Sequence, residues 1–253
     1  MVNSVIAFEK KKLKRTFIVP LTLLYPFLVI FMVALIIAVQ KDNLANQNND
    51  MWEIMIVITH YVYMFAIALA ITFITSNIVN IEHQTNSWKL LFSLPINRSS
   101  FYFSKLFSIF ILCASSAFIV FVGLNLIGIV FSFGNFPPYL LLLKESFYPY
   151  IGALPIITLQ LWLSLRFQNQ TLPMAIGIFG AVCIFLLQTN KVSSFIFWAY
   201  PAMMTPLIQV VENDSLGKIV VNSDLYLYTT LSLVFAFIFM FIGLNYCSKH
   251  QVE

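Results

Sequence analysis

The chain has 253 residues, of which 60% are hydrophobic and 9% are charged, against about 25% charged residues in typical soluble proteins. This composition excludes an ordinary soluble domain and indicates that most of the chain lies in lipid. The net charge of +4 is therefore predicted to reflect membrane topology and not nucleic-acid binding. The three cysteines show no CxxC spacing, which argues against a disulfide or a metal site.

Six long apolar segments predict six membrane-spanning helices. A run of about 18 or more apolar residues crosses the ~30 Å hydrocarbon layer as a helix, and backbone polar groups in lipid must pair within that helix. We therefore predict an all-α polytopic membrane protein in which residues 1–253 form one transmembrane domain. The predicted spans are 17–39, 54–80, 106–131, 147–165, 172–188 and 225–247. None of them contains Asp, Glu, Lys or Arg, which disfavours a carrier driven by protons or sodium ions.

The residues before the first span alternate between apolar and charged types. Val2, Val5, Ile6 and Leu13 recur among Lys and Glu residues at roughly helical spacing. This pattern predicts an amphipathic helix that lies on the inner membrane surface. An unstructured basic anchor is the alternative interpretation.

Segment 192–211 is also free of charged residues, but Pro201 and Pro206 interrupt it. Each proline removes a helical hydrogen bond and clashes with the preceding turn. We interpret the segment as a re-entrant or interfacial pair of short helices on the outer face, just before the last span, and not as a seventh crossing.

The positions of the basic residues predict the orientation. Six spans leave both termini on one side, and if that side is the cytoplasm, ten Lys and Arg residues lie inside and four outside. This asymmetry follows the positive-inside rule. We predict a multi-pass cell-membrane protein with cytoplasmic N- and C-termini. A seven-span arrangement would only exchange Lys218 for Lys249, so the prolines and not the charges argue against it.

The loop between the second and third spans carries an apolar helical face. Trp88, Leu91 and Phe92 recur at i, i+3 and i+4, and Pro95 then ends the helix. An apolar face exposed to the cytosol needs a covering surface, either lipid headgroups or a partner protein.

The same loop resembles a known family. The matching motif, which reads E-x-x-T-x-x-x-x-L-L-x-x-L-P-x-x-R-x-x-x-x-x-x-K in this sequence, is typical of ABC type-2 exporter permeases. Its positions here are Glu82, Thr85, Leu90, Leu91, Leu94, Pro95, Arg98 and Lys105, with Trp88 between them. In chain size and in this loop the sequence is most similar to permeases of lantibiotic-immunity and bacitracin-resistance transporters.

The resemblance implies that the loop is a coupling helix seated in a cleft of a separate cytoplasmic ATPase. It implies two copies of that ATPase, which bind ATP and Mg²⁺, and a second permease, identical or homologous. The cargo it implies is an amphipathic antimicrobial peptide expelled from the membrane lipid. The residues assigned to ATPase coupling are Glu82, Thr85, Trp88, Lys89, Leu91, Phe92, Pro95 and Arg98. A helix that only anchors the loop on the membrane remains the alternative.

Motifs for catalysis are absent from the sequence. It contains no GxxxxGK[ST] phosphate loop, no HExxH and no GxSxG. We therefore predict a non-enzymatic chain with no catalytic residues, no metal site and no cofactor of its own.

Four polar residues within the spans are weak candidates for a substrate pathway: His60, Asn77, Asn125 and Gln160. Hydrocarbon penalises such side chains, so they either line a pathway or form hydrogen bonds between helices. Two other functions stay open: a permease for lipid, haem or a secreted peptide, and a stand-alone channel or scaffold.

Overall fold

A computed structural model describes residues 18–45, 50–85, 98–187, 196–210 and 217–249. These residues form eight α-helices, one 3-10 turn and one two-stranded sheet. The predicted N-terminal amphipathic helix lies outside the described residues. The elements are α1 (Ile18–Ala45), α2 (Met51–Gln84), α3 (Arg98–Val130), α4 (Tyr139–Gly152), α5 (Leu154–Arg166), α6 (Thr171–Leu187), the 3-10 turn Phe197–Ala199, α7 (Tyr200–Met203), β1 (Leu207–Val210), β2 (Lys218–Val221) and α8 (Leu225–Lys249).

The predicted helical membrane architecture is confirmed. Five stretches are long and apolar enough to cross a membrane, and α6 supplies a sixth, shorter apolar helix. The five stretches are Ile18–Lys41, Met51–Gln84, Ser99–Val130, Tyr139–Arg166 and Leu225–Ser248. Local composition determines these helices, because lipid offers their backbone groups no other hydrogen-bond partner.

Helix α2 is the longest element of the described chain and is longer than the hydrocarbon layer is thick. Its 34 residues span about 51 Å, against a hydrocarbon layer of about 30 Å. Asp50 caps its start by accepting a 3.1 Å hydrogen bond from the Trp52 backbone N–H. Thr85 follows its last residue and donates to the Ile81 carbonyl at 2.7 Å. We call the two ends of the bundle the hairpin end, where β1 and β2 lie, and the loop end, where α2 and α3 flank residues 86–97.

Helix α2 also lies at the centre of the bundle. It packs against α1, α5 and α6, while α8 packs against α5. Glycines permit the closest approaches: a Cβ on Gly177 of α6 would overlap Thr72 of α2, and one on Gly123 of α3 would overlap Ile30 of α1. Small residues serve this purpose in membrane helices, whose packing depends on van der Waals contact and not on hydrophobic exclusion from water.

The fourth crossing differs from its prediction. The predicted span 147–165 is longer in the structure, because α4 begins at Tyr139 and α5 follows it after a single residue, Ala153. Pro149 and Pro155 remove backbone donors on either side of that junction, which explains why two helices form. The longer stretch includes Lys144 and Glu145, which lie outside the predicted span 147–165.

The segment before α8 was predicted only in part. Residues 197–203 form the 3-10 turn and the short helix α7, while the re-entrant or interfacial position of the segment stays a prediction. The following strand β1 pairs antiparallel with β2, with Leu207 opposite Val221 and Val210 opposite Lys218. The sequence analysis did not predict this hairpin, because its two strands have only four residues each. Residues 192–195 and residue 211 of this segment lie outside the described residues.

Candidate functional site

Two oppositely charged side chains meet inside the protein at the loop end. Glu82 lies in the last turn of α2 and Lys105 near the start of α3, and each is almost completely buried. The Lys105 Nζ donates to Glu82 Oε1 at 2.5 Å, and Nζ also lies 5.5 Å from the centre of the Phe101 ring. Burying either charge alone is costly, so the two groups stabilise each other in this position.

The ion pair connects the two helix ends that flank residues 86–97. Neighbouring hydrogen bonds extend the connection to α5: His83 Nε2 donates to the Ser164 carbonyl at 3.0 Å, and Gln170 Nε2 donates to the same oxygen at 3.0 Å. The ends of α2, α3 and α5 and the turn before α6 are therefore fastened together.

The residues predicted for ATPase coupling are only partly described. Glu82 is buried, Thr85 ends α2, and Arg98 is the first residue of α3. The other five lie outside the described residues: Trp88, Lys89, Leu91, Phe92 and Pro95. Lys105 is part of the motif described above, but no sequence pattern indicated that it pairs with Glu82, 23 residues earlier.

Among the residues that the structure describes, no hydrogen bond joins any two of the four weak pathway candidates. His60 and Asn77 are 17 residues apart on α2, which corresponds to about 26 Å. Asn77 and Asn125 each donate to a carbonyl of their own helix, at 2.8 Å in both cases. Gln160 is buried against α6, where its amide nitrogen donates to the Pro173 carbonyl at 3.2 Å and its oxygen accepts from the Gly177 N–H at 3.1 Å.

His60 has a partner that the sequence analysis missed. Its ring lies beside Glu145 of α4, with His60 Nδ1 3.4 Å from Glu145 Oε1. Glu145 lies just before the apolar run of the predicted span 147–165, and it was not among the candidate residues. Its position could have indicated burial, because an acidic residue within one helical turn of an apolar run can continue the same helix into the interior of the protein.

A groove of about 470 Å³ lies between α1 and α2. Apolar side chains form nearly all of its wall, and the Thr22 hydroxyl is satisfied by the Ile18 carbonyl at 2.7 Å. Leu24, Leu28 and Met32 line the groove and are also about half exposed on the surface of the bundle. The groove is thus reachable from the side, where a membrane protein meets lipid.

Comparison with known proteins identifies the family. The model of the family described as ABC-2 family transporter protein matches residues 5–184, which is more than half of the chain. No curated protein matches the sequence. Membership implies association with an ABC ATPase that supplies the energy. The chain therefore belongs to the ABC-2 family of transporter proteins and is a multi-pass permease subunit of an ABC exporter.

Proposed function

We propose that this permease expels an amphipathic antimicrobial peptide of the lantibiotic type from the membrane, and that residues 82–98 couple it to the ATPase. The buried Glu82–Lys105 pair is the observation that carries the coupling assignment. It joins the helix ends that flank the loop, and one of these helices is the central helix α2. A push on the loop would therefore reach the middle of the bundle.

The coupling contact itself consists of the apolar face of the loop. Trp88, Leu91 and Phe92 pack into a cleft of the ATPase, with Lys89 and Pro95 beside them. Thr85 and Arg98 mark the points where the loop leaves α2 and enters α3. Two ATPase copies, each binding ATP and Mg²⁺, act on two permeases, because six crossings make half of a twelve-span pathway. The second permease is identical or homologous to this chain.

The orientation follows from this assignment. The loop end faces the cytoplasm together with both termini, and the hairpin end faces outward. The distribution of ten basic residues inside and four outside supports this arrangement.

The groove between α1 and α2 supports an amphipathic cargo. Its volume of about 470 Å³ falls within the range of roughly 300–1,000 Å³ typical of ligand sites. A ligand that enters from the bilayer can place its apolar face against these walls and keep its polar face at the membrane surface. A lipid or haem is also partly apolar and partly polar. A comparison of these compounds in the same assay therefore identifies the cargo.

Phe92→Ala and Trp88→Ala test the coupling, with Phe107→Ala as a matched control on the exposed surface of α3. The permease is co-expressed with the ATPase of its own operon, and permease-stimulated ATP hydrolysis and lantibiotic resistance are measured. We expect both loop variants to lose most of the stimulation and resistance, while Phe107→Ala retains them. Wild-type values in both loop variants would contradict the assignment.

The cargo is tested with the same preparation by adding a lantibiotic, a lipid or haem and measuring ATP hydrolysis. Stimulation by the lantibiotic alone supports the proposal, and stimulation by either of the others identifies a different cargo. If no ATPase co-purifies in mild detergent, the chain acts as a stand-alone channel or scaffold.

A further inference from the structure

A second buried polar cluster lies at the hairpin end and connects three segments of the chain. It consists of His60 of α2, Glu145 of α4 and Thr205, which follows α7; their exposed fractions are 6%, 0% and 2%. His60 Nε2 lies 2.8 Å from the Ala202 carbonyl, and Thr205 Oγ1 donates to Glu145 Oε2 at 2.8 Å. The cluster thus fastens the segment 200–205 to two membrane helices.

The hydrogen-bond partners of His60 determine which of its ring nitrogens carries a hydrogen. Its contact with Glu145 requires one further proton. A carbonyl oxygen only accepts, so His60 Nε2 must carry a hydrogen and donate to Ala202. His60 Nδ1 then lies 3.4 Å from Glu145 Oε1, within ion-pair distance, and neither atom forms a hydrogen bond among the described residues. Two bare acceptors in a buried site would repel each other. One more proton, on the imidazole or on the carboxyl group, makes the contact attractive and leaves the pair neutral overall.

The segment depends on these contacts for its position. Helix α7 has four residues, far fewer than an isolated helix needs to be stable. Tyr200 and Met204 are completely buried, and the Asn222 side chain donates to the carbonyls of Met203 and Thr205 at 3.0 and 2.9 Å. The segment is therefore held by side chains from elsewhere in the chain and not by regular secondary structure of its own.

We propose that His60, Glu145 and Thr205 are positioning residues that form a latch, which holds segment 200–205 closed over the hairpin end until the transporter opens. This inference rests on the proposed function, in which the hairpin end is the exit. His60 lies 22 residues before Glu82 on the same helix, about 33 Å away. A rigid shift of α2 driven at the loop end would separate His60 from Ala202 and Glu145 at the other end.

Two substitutions of Glu145 distinguish a latch made of hydrogen bonds from a site that depends on the negative charge of the carboxylate. In Glu145→Gln, the amide nitrogen can donate to His60 Nδ1 while the amide oxygen accepts from Thr205, so the latch is retained without charge. Glu145→Ala removes both contacts. Thr205→Val removes one hydroxyl with little change of shape and serves as a milder variant in case Glu145→Ala fails to fold. Glu53→Gln is the matched control, because Glu53 is a partly exposed carboxylate at the same end of α2.

The reporter is Met204→Cys in a chain whose three native cysteines are replaced by alanine. Met204 is completely buried, so a cysteine there reacts slowly with a maleimide while the latch is closed. In the purified full-length permease we expect Glu145→Ala and Thr205→Val to speed labelling at least about tenfold, the factor that corresponds to ~1.4 kcal/mol, or roughly one hydrogen bond. Glu145→Gln and Glu53→Gln should label at the parental rate.

The latch is overturned if Glu145→Ala and Thr205→Val label no faster than the parent, or if Glu145→Gln labels as fast as Glu145→Ala. Adding the ATPase with a non-hydrolysable ATP analogue should also speed labelling in the parent. If it does not, the cluster is a static contact and the proposed gating role fails. Labelling of the permease alone needs no ATPase, so it remains informative even if the coupling assignment of residues 82–98 proves wrong.

Discussion

The Glu82–Lys105 pair allows a quantitative prediction. At 2.5 Å and an effective dielectric constant of about 20, the two charges attract each other by roughly 7 kcal/mol. Desolvation costs several kcal/mol for each ion, so the net contribution of the pair is close to zero. Removing one partner is different, because the remaining charge keeps its desolvation cost and loses the attraction. We expect Glu82→Gln or Lys105→Met alone to lower the free energy of unfolding by about 3–5 kcal/mol.

The double variant Glu82→Gln/Lys105→Met should recover most of that loss, because no charge is then buried at this position. The assay is thermal unfolding of the purified permease in detergent, where ~3 kcal/mol corresponds to a shift of about 6–12 °C. Glu53→Gln, at the other end of α2, should change the midpoint little. Additive losses in the double variant, or single losses below about 1 kcal/mol, would refute the reasoning.

Two further predictions concern packing. Ala70→Phe places a ring in the groove between α1 and α2, so we expect lower lantibiotic resistance at an unchanged basal ATPase rate. The control Val130→Phe, on the exposed surface of α3, should leave both the resistance and the ATPase rate at wild-type values. Gly152→Ala brings a Cβ within 2.7 Å of the Tyr200 carbonyl oxygen, which belongs to the backbone and cannot rotate away. We expect the free energy of unfolding to fall by about 1–3 kcal/mol and a cysteine at position 204 to be labelled faster. Wild-type values for both would show that segment 200–205 can shift away from the added methyl group without loss of stability.

The helices of this chain were predictable because the membrane imposes a local rule. Every backbone polar group in hydrocarbon must be satisfied within its own segment, so apolar runs such as those in α1, α2 and α8 become helices whatever surrounds them. The ends were less predictable: α4 begins at Tyr139 and not at 147, because a charged residue at the edge of a run can enter the protein when another helix supplies a partner. The hairpin β1–β2 escaped prediction for a related reason, since four-residue strands carry almost no periodic signal.

The sequence by itself determined that most of this protein lies in lipid, the approximate positions of its long helices, and the loop that resembles the coupling segment of exporters. Only the tertiary structure decided that Glu82 meets Lys105 and that His60 meets Glu145 and Ala202. These partners are 23, 85 and 142 residues apart in the chain. A span is fixed by a one-dimensional property, its hydropathy, whereas a buried charge is acceptable only where a particular neighbouring helix brings the opposite group within hydrogen-bond distance.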